Sequence, residues 1–107
     1  KPVLACVQGM AVGGGFELAL SCDLIYATAS SSFALPEINA GTLADAATIK
    51  LPKRMPYHVA MDLLLTGRWM DADEAARWGL SLLNASTALI LPSLLPSLLP
   101  SLMRSTL

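Results

Sequence analysis

Residues 12–20 read VGGGFELAL. An apolar, strand-like run ends at Val12, glycine fills the next three positions, and good helix formers follow Phe16. Glycine has no Cβ, so the chain can turn sharply, adopt a positive φ and let another molecule approach its N–H groups. The first turn of the following helix has unpaired N–H donors and a partial positive charge. The segment therefore predicts a strand, a turn and a helix whose start, with Glu17 in its first turn, can stabilise a developing negative charge.

The composition excludes several classes of protein. The chain has 107 residues, of which 54% are hydrophobic and 14% charged, and its net charge is −1. This size fits one domain, and the high apolar fraction indicates that part of its surface is covered. No basic stripe favours nucleic acid or an anionic membrane, so we predict neither as a partner. Because the chain starts at Lys1 and enters an apolar strand at once, we interpret it as a fragment without its N-terminal half or a targeting signal.

The cysteines and the histidine do not predict a disulfide scaffold, a metal site or a catalytic Cys–His pair. Cys6 and Cys22 lie in apolar surroundings without CxxC spacing, and His58 is the only histidine. Two cysteines are too few for a disulfide scaffold or a zinc site, so we predict buried, reduced thiols and no metal. A catalytic Cys–His pair would depend on His58 alone and is disfavoured.

The segments around the glycines predict an α/β fold. Pro2–Val7 is a short apolar run typical of a strand buried on both faces. Phe16–Cys22 predicts a short helix, and Asp23–Ala27 predicts another strand. This order is typical of a parallel α/β unit. A very short extended segment, Phe33–Leu35, is then halted by proline, so Glu37 stands just past a strand end, where α/β folds often keep functional groups.

Two further helices and a tail are predicted downstream. One helix opens at Leu51 and Pro52 and ends at Gly67. The other has Asp71 as its N-cap, with Glu74 three residues later. From residue 88 the sequence repeats Pro-Ser-Leu-Leu, and one proline per turn, at about 3 kcal/mol each, is incompatible with a helix. We therefore predict a folded region at 1–87 and a disordered, low-complexity Pro/Ser/Leu tail at 88–107.

A strand, glycines and a helix are also typical of nucleotide-binding loops. The GxGxxG pattern needs a third glycine where Leu18 stands, and the Walker A pattern needs a lysine after the glycines, which is absent. Glu37 does lie about 20 residues further on, where a dinucleotide fold places an acidic residue. A dinucleotide-binding module therefore stays open as an alternative.

Several segments together resemble the crotonase (enoyl-CoA hydratase/isomerase) superfamily. They are KPV at 1–3, QG at 8–9, GGGFELA at 13–19, Asp23, FALPE at 33–37 and Gly41, followed in the family's order by LPK at 51–53, TGR at 66–68, EA at 74–75 and RWG at 77–79. The choices at Phe16, 33–35 and 77–78 are most similar to the carnitinyl-CoA dehydratase branch. The resemblance covers residues 1 to about 79.

The resemblance implies a partial crotonase fold, a spiral of strand-strand-helix turns, that binds acyl-CoA thioesters. It assigns Gly14 to the oxyanion hole, and Glu17 and Glu37 to the two glutamates that act on one water. Adding water to an enoyl thioester needs one group that takes a proton and another that delivers one, so a pair suits the chemistry. The residues implied to contact the substrate are Gly13, Phe16, Leu35 and Pro36.

The implied activity is that of an enoyl-CoA hydratase or 3-hydroxyacyl-CoA dehydratase, with crotonobetainyl-CoA as a candidate substrate and no cofactor besides the coenzyme A thioester itself. Full-length relatives are expected to be homotrimers or hexamers, in the cytoplasm or alternatively the mitochondrial matrix. The chain alone is expected to be inactive, because the second oxyanion donor would precede Lys1. A non-catalytic truncated product is therefore a second alternative. Residues 42–50 also lack the proline and paired glycines that the family usually shows. Because this loop flanks the active site in the family, we expect the positions of Glu37 and the water to differ from the family's pattern.

Overall fold

The computed structural model describes residues 1–82, so the predicted tail at 88–107 lies outside the described residues. The elements are strands β1 (Leu4–Val7), β2 (Met10–Val12), β3 (Leu24–Ala27), β4 (Ser32–Ala34) and β5 (Met70–Asp71), helices α1 (Gly14–Leu20), α2 (Asp45–Lys50), α3 (Tyr57–Thr66) and α4 (Ala72–Arg77), and 3-10 helices at Pro36–Ala40 and Leu51–Lys53. Within residues 1–82 no helix combines the length and apolar character needed to cross a bilayer.

The strands form two small sheets with parallel pairs. β1 pairs in parallel with β3, placing Leu4 opposite Leu24, and β2 pairs in parallel with β4, placing Val12 opposite Ala34. β5 adds an antiparallel edge to β4. Gly9, with a φ of 94°, separates β1 from β2 and gives a strand-strand-helix order before β3. The predicted α/β class with parallel strands is confirmed.

The core lies where α1 covers the sheet of β2, β4 and β5. Phe16 on α1 and Phe33 on β4 are both fully buried, with ring centroids 5.2 Å apart. Phe16, Ala19 and Leu20 follow one another at helical spacing and are all buried. Leu35 is also only 1% exposed. The packing of Phe16 against Phe33 therefore holds α1, which carries Glu17, against the sheet.

The prediction that β1 is buried on both faces is wrong. Cys6 is exposed, and the other three residues of β1 are partly buried. β1 has only β3 beside it among residues 1–82, and burial on both faces of a strand needs elements packed over each face. Both thiols are free, as predicted, but Cys6 is exposed and Cys22 is only partly buried.

Residues 42–50, for which the sequence predicted no element, contain α2. Asp45 in its first turn and Lys50 in its last suit the helix dipole. The helix predicted from Leu51 is interrupted before α3, because Pro56 disfavours the helical conformation at the residue before it and stands at the N-cap. α3 ends at Gly67, as predicted, and Gly67 adopts the left-handed conformation.

A network of charged side chains joins α3 to α4. Asp71 accepts a hydrogen bond from the N–H of Glu74 at 2.7 Å, which confirms the predicted N-cap. The Glu74 carboxylate accepts two hydrogen bonds from Arg68, at 2.9 and 2.8 Å, and a third from Trp78. Arg68 also pairs with Asp62 at 2.5 Å. The bonds from Arg68 lower the pKa of Glu74, and the same bonds raise that of Arg68.

We expect Glu74→Gln to lower the free energy of unfolding at pH 7 by about 1 kcal/mol. Because the pKa of Glu74 is lower in the folded state than its usual 4.5, the unfolded state takes up the proton first as the pH falls. The stabilisation is therefore complete above pH 4.5 and is lost as the pH drops through the folded-state pKa. Urea unfolding at several pH values measures the difference between wild type and variant.

The matched variant is Arg68→Lys, which keeps the positive charge but cannot donate two parallel hydrogen bonds. We expect it to lose part of the stabilisation and to keep the same pH dependence. A difference between wild type and Glu74→Gln that stays constant from pH 7 to pH 3 would show that the Glu74 charge does not stabilise the fold.

Candidate functional site

Two loops leave the sheet side by side. Val12 and Ala34 end the parallel strands β2 and β4 and lie opposite each other. The N–H of Gly13 extends this pairing by donating to the carbonyl of Ala34 at 3.0 Å. Since carboxyl ends of parallel strands meet at one edge of a sheet, the glycine turn and the segment that leads to Glu37 are brought together there.

Gly13 is approached by both predicted glutamates, by Glu37 through its carboxyl group and by Glu17 through its backbone N–H. Its φ is 55°, and a Cβ added there would lie 3.0 Å from Oε1 of Glu37. Its carbonyl accepts the first hydrogen bond of α1, from the N–H of Glu17 at 3.0 Å. Position 13 therefore needs glycine for its backbone conformation and for the close approach of the Glu37 carboxyl group.

Glu37 lies at the second position of the 3-10 helix Pro36–Ala40 and is partly buried. Its carbonyl accepts hydrogen bonds from the N–H and the hydroxyl of Thr42, at 3.1 and 3.2 Å. Its Oε2 is buried and has no hydrogen-bond partner in the described part of the chain. Leaving a buried carboxyl oxygen unpaired costs about 1–3 kcal/mol or more, so this atom makes Glu37 a candidate functional residue.

Glu17 is held from a different direction. It is partly buried on α1, and its Oε2 accepts a hydrogen bond from the N–H of Ala47 at 2.8 Å. Ala47 is the third residue of α2, and Ala44 at the N-cap of α2 has no side-chain acceptor. Glu17 therefore caps α2 in place of a local residue. Residues 42–50, where the sequence departs from the family's usual pattern, thus contact Glu17 directly.

We expect Glu17→Ala to lower the free energy of unfolding by about 1 kcal/mol through the loss of this cap. The Ala47 amide would then exchange its hydrogen with solvent faster, as NMR-detected hydrogen exchange can measure. Ala44→Ser in the same background should restore part of the loss, because a serine at the N-cap can accept the Ala47 N–H. Equal protection of the Ala47 amide in wild type and Glu17→Ala would show that the cap does not form in solution.

The two ends of α1 differ in their surroundings. At the start, Gly14 and Gly15 are exposed, and a Cβ added at either would meet nothing within 4 Å. The Gly14 N–H precedes the first helical hydrogen bond and belongs to the unpaired donors. At the other end, Arg54 donates to the carbonyls of Leu20 and Cys22. The start of α1, with its unpaired N–H groups, is therefore exposed, while its other end is held by Arg54.

The predicted site residues lie in different surroundings. Gly14 and Glu17 lie in the first turn of α1, Gly13 precedes them at the N-cap, and the Glu37 carboxyl group approaches Gly13. Phe16 and Leu35, which the resemblance places at the substrate, are 0–1% exposed and belong to the core, and their contact with the substrate stays a prediction. Pro36 is partly buried at the start of its 3-10 helix. No group of three or more His, Cys, Asp or Glu side chains in residues 1–82 could hold a metal ion.

The backbone amide of Ala47 is the functional group that sequence analysis missed. The sequence did indicate the helix that contains Ala47, because Asp45 and Lys50 have the charges that suit the first and last turns of a short helix. The contact that it makes depends on a glutamate 30 positions earlier in the chain. Local patterns do not predict such a contact.

The sequence model of the enoyl-CoA hydratase/isomerase family matches residues 1–87. The chain belongs to this family. The dinucleotide-binding alternative is thereby left without support.

Relatives within the enoyl-CoA hydratase/isomerase family agree with the predicted branch. The carnitinyl-CoA dehydratase of Proteus mirabilis is 49% identical over 82 residues, which cover 76% of this chain and 31% of that protein. That of Citrobacter koseri is 51% identical over 81 residues, covering 75% and 31%. This family member therefore spans about a third of the length of the curated relatives it matches.

Solved structures confirm the predicted crotonase-type fold. The crystal structure of an enoyl-CoA hydratase from Mycobacterium tuberculosis matches this family member with a TM-score of 0.82 and 41% sequence identity, covering 91% of this chain and 40% of that one. Another, of an enoyl-CoA hydratase from Mycobacterium marinum, has a TM-score of 0.81 at 40% identity, covering 87% of this chain and 37% of that one.

Proposed function

We propose that the protein adds water reversibly to an enoyl-CoA thioester, as an enoyl-CoA hydratase or 3-hydroxyacyl-CoA dehydratase. The observation that supports the proposal most is the placement of the Glu37 carboxyl group: its Oε1 lies 3.0 Å from the Cβ position of Gly13, just before α1, and its Oε2 is buried without a hydrogen-bond partner among residues 1–82. Glu17 lies in the first turn of the same helix. A hydratase needs two such groups for one water.

The proposed chemistry assigns a task to each group. The N–H of Gly14 donates to the thioester oxygen and stabilises the negative charge of the enolate, together with a second donor from elsewhere in the protein. The oxygen of water bonds to the β-carbon, one glutamate takes a proton from that water, and the other glutamate delivers a proton to the α-carbon. Coenzyme A is part of the substrate, and the reaction needs no further cofactor. Ala47 holds one oxygen of Glu17 and leaves the other free for the water.

The acyl group that we propose first is crotonobetainyl. The support is the name of the matching relatives, which are carnitinyl-CoA dehydratases at 49% and 51% identity. Crotonyl-CoA serves as the simpler test substrate. The trimer or hexamer expected of full-length relatives and the expected cytoplasmic location stay predictions.

A chimaera tests the proposal. The 82-residue matching segment of the Proteus mirabilis relative is replaced by its counterpart from this chain, and loss of the enoyl-thioester absorbance is followed with crotonobetainyl-CoA and crotonyl-CoA. We expect turnover by the chimaera and none by the 107-residue chain alone. A chimaera that folds like its parent but hydrates neither substrate would favour the non-catalytic alternative.

A further inference from the structure

Gly67, at the end of α3, lies against the segment that carries Glu37. A Cβ added to Gly67 would lie 2.8 Å from Nδ2 of Asn39 and 3.3 Å from Cγ2 of Ile38. Both residues belong to the 3-10 helix Pro36–Ala40. Since contacts below 3.0 Å are essentially never made by a real Cβ, a side chain at position 67 would displace its neighbours.

The two neighbours differ in how easily they can move. Asn39 is exposed, so its amide group can rotate away. Ile38 is β-branched and stiff at χ1, and it is partly buried, so its methyl group can yield only if the backbone shifts. A shift of Ile38 is passed to Glu37, which is the preceding residue of the same short helix.

The same 3-10 helix contacts a second glycine. Oε1 of Glu37 lies 3.0 Å from the position that a Cβ of Gly13 would take, so the carboxyl group occupies space that the missing side chain leaves open. Its backbone is held by Thr42, whose N–H donates to the Glu37 carbonyl at 3.1 Å. The 3-10 helix therefore contacts Gly67 at the end of α3 on one side and Gly13 before α1 on the other, so a shift away from α3 would move the Glu37 carboxyl group relative to α1.

We propose that Gly67 is a positioning residue for Glu37: its lack of a side chain lets the 3-10 helix Pro36–Ala40 pack close enough to α3 to place the Glu37 carboxyl group at the start of α1. The proposal rests on the proposed catalytic function of Glu37. Misplacement of a reacting group by about 1 Å can cost about 100-fold in rate, so a shift of a few tenths of an ångström is expected to lower kcat about ten-fold.

The matched control is Gly79→Ala. Gly67 and Gly79 both have a positive φ, of 67° and 80°, and both follow a helix, so alanine causes similar backbone strain at each. A Cβ at Gly79, however, would meet nothing within 4 Å. The difference between Gly67→Ala and Gly79→Ala therefore isolates the contact with Ile38 and Asn39.

The first measurement follows the Glu37 carboxyl group in the whole 107-residue chain, by NMR of carboxyl-carbon-labelled glutamate. The chain contains only three glutamates, at positions 17, 37 and 74, so three signals are expected. Gly67→Ala should shift the Glu37 signal and leave that of Glu17 unchanged, and Gly79→Ala should shift neither. An unchanged Glu37 signal in Gly67→Ala, or an equal shift in Gly79→Ala, would overturn the proposal.

A second variant keeps the test decisive if Gly67→Ala does not fold. Adding Ile38→Ala and Asn39→Ala makes room for the new methyl group and should restore both folding and the Glu37 signal; failure to restore them overturns the proposal. In the chimaera, Gly67→Ala should lower kcat about ten-fold with KM unchanged. A shifted Glu37 signal with unchanged kcat would support the positioning of Glu37 by Gly67 but would count against the catalytic function of Glu37.

Discussion

Glu17→Gln and Glu37→Gln together should abolish hydration of crotonyl-CoA by the chimaera. A positioned general acid or base typically contributes about 10²–10⁴-fold in rate, and each variant is expected to lose a factor in this range. Glutamine keeps the size of the side chain but can neither take nor deliver the proton. The losses should not add, because the two carboxyl groups act on the same water. Turnover is measured as the loss of the enoyl-thioester absorbance.

Glu74→Gln is the matched control, since it removes the third glutamate of the chain. The Glu74 carboxylate is committed to Arg68 and Trp78, between α3 and α4. We expect it to lower stability without a change in kcat. Similar turnover in the wild-type chimaera and in the double variant of Glu17 and Glu37 would end the assignment of these two residues.

The second large effect is expected from Gly14→Val. Turnover should fall at least as far as on removal of one oxyanion-hole donor, which is about 10²–10³-fold. The reason is that the valine side chain would occupy the open space beside the Gly14 N–H, where the thioester is proposed to bind. Backbone strain is not the cause, because the positive φ of this turn belongs to Gly13.

Gly15→Val separates the oxyanion hole from general crowding of α1. Gly15 is as exposed as Gly14, lies in the same turn, and likewise has nothing within 4 Å of an added Cβ. Valine is a better helix former than glycine, so neither variant should unfold the chimaera. Equal losses for the two variants would assign the effect to crowding, and full turnover by Gly14→Val would remove Gly14 from the oxyanion hole.

Features that depend on nearby residues were predicted from the sequence. Gly67 ends α3 because only glycine adopts a left-handed conformation at low cost, and Asp71 caps α4 because its carboxylate reaches an N–H three residues on. The short helix with Glu17 in its first turn was also predicted from nearby residues. It begins at Gly14, two residues before the predicted start at Phe16. The resemblance to the family then named both glutamates before any geometry was known.

Features that depend on distant residues were decided by the tertiary structure. The pairing of β2 with β4 brings Glu37 against Gly13, and the packing of α3 brings Gly67 against the same segment. The Glu17 carboxylate accepts a hydrogen bond from the N–H of Ala47 and so caps α2 across 30 residues of sequence. The sequence by itself thus determined the turns and the helix ends, because these follow from backbone preferences within a few residues, and its resemblance to the family named the residues of the candidate site. Strand register and helix packing decided which atoms of that site meet, since they depend on how separate segments fill one core.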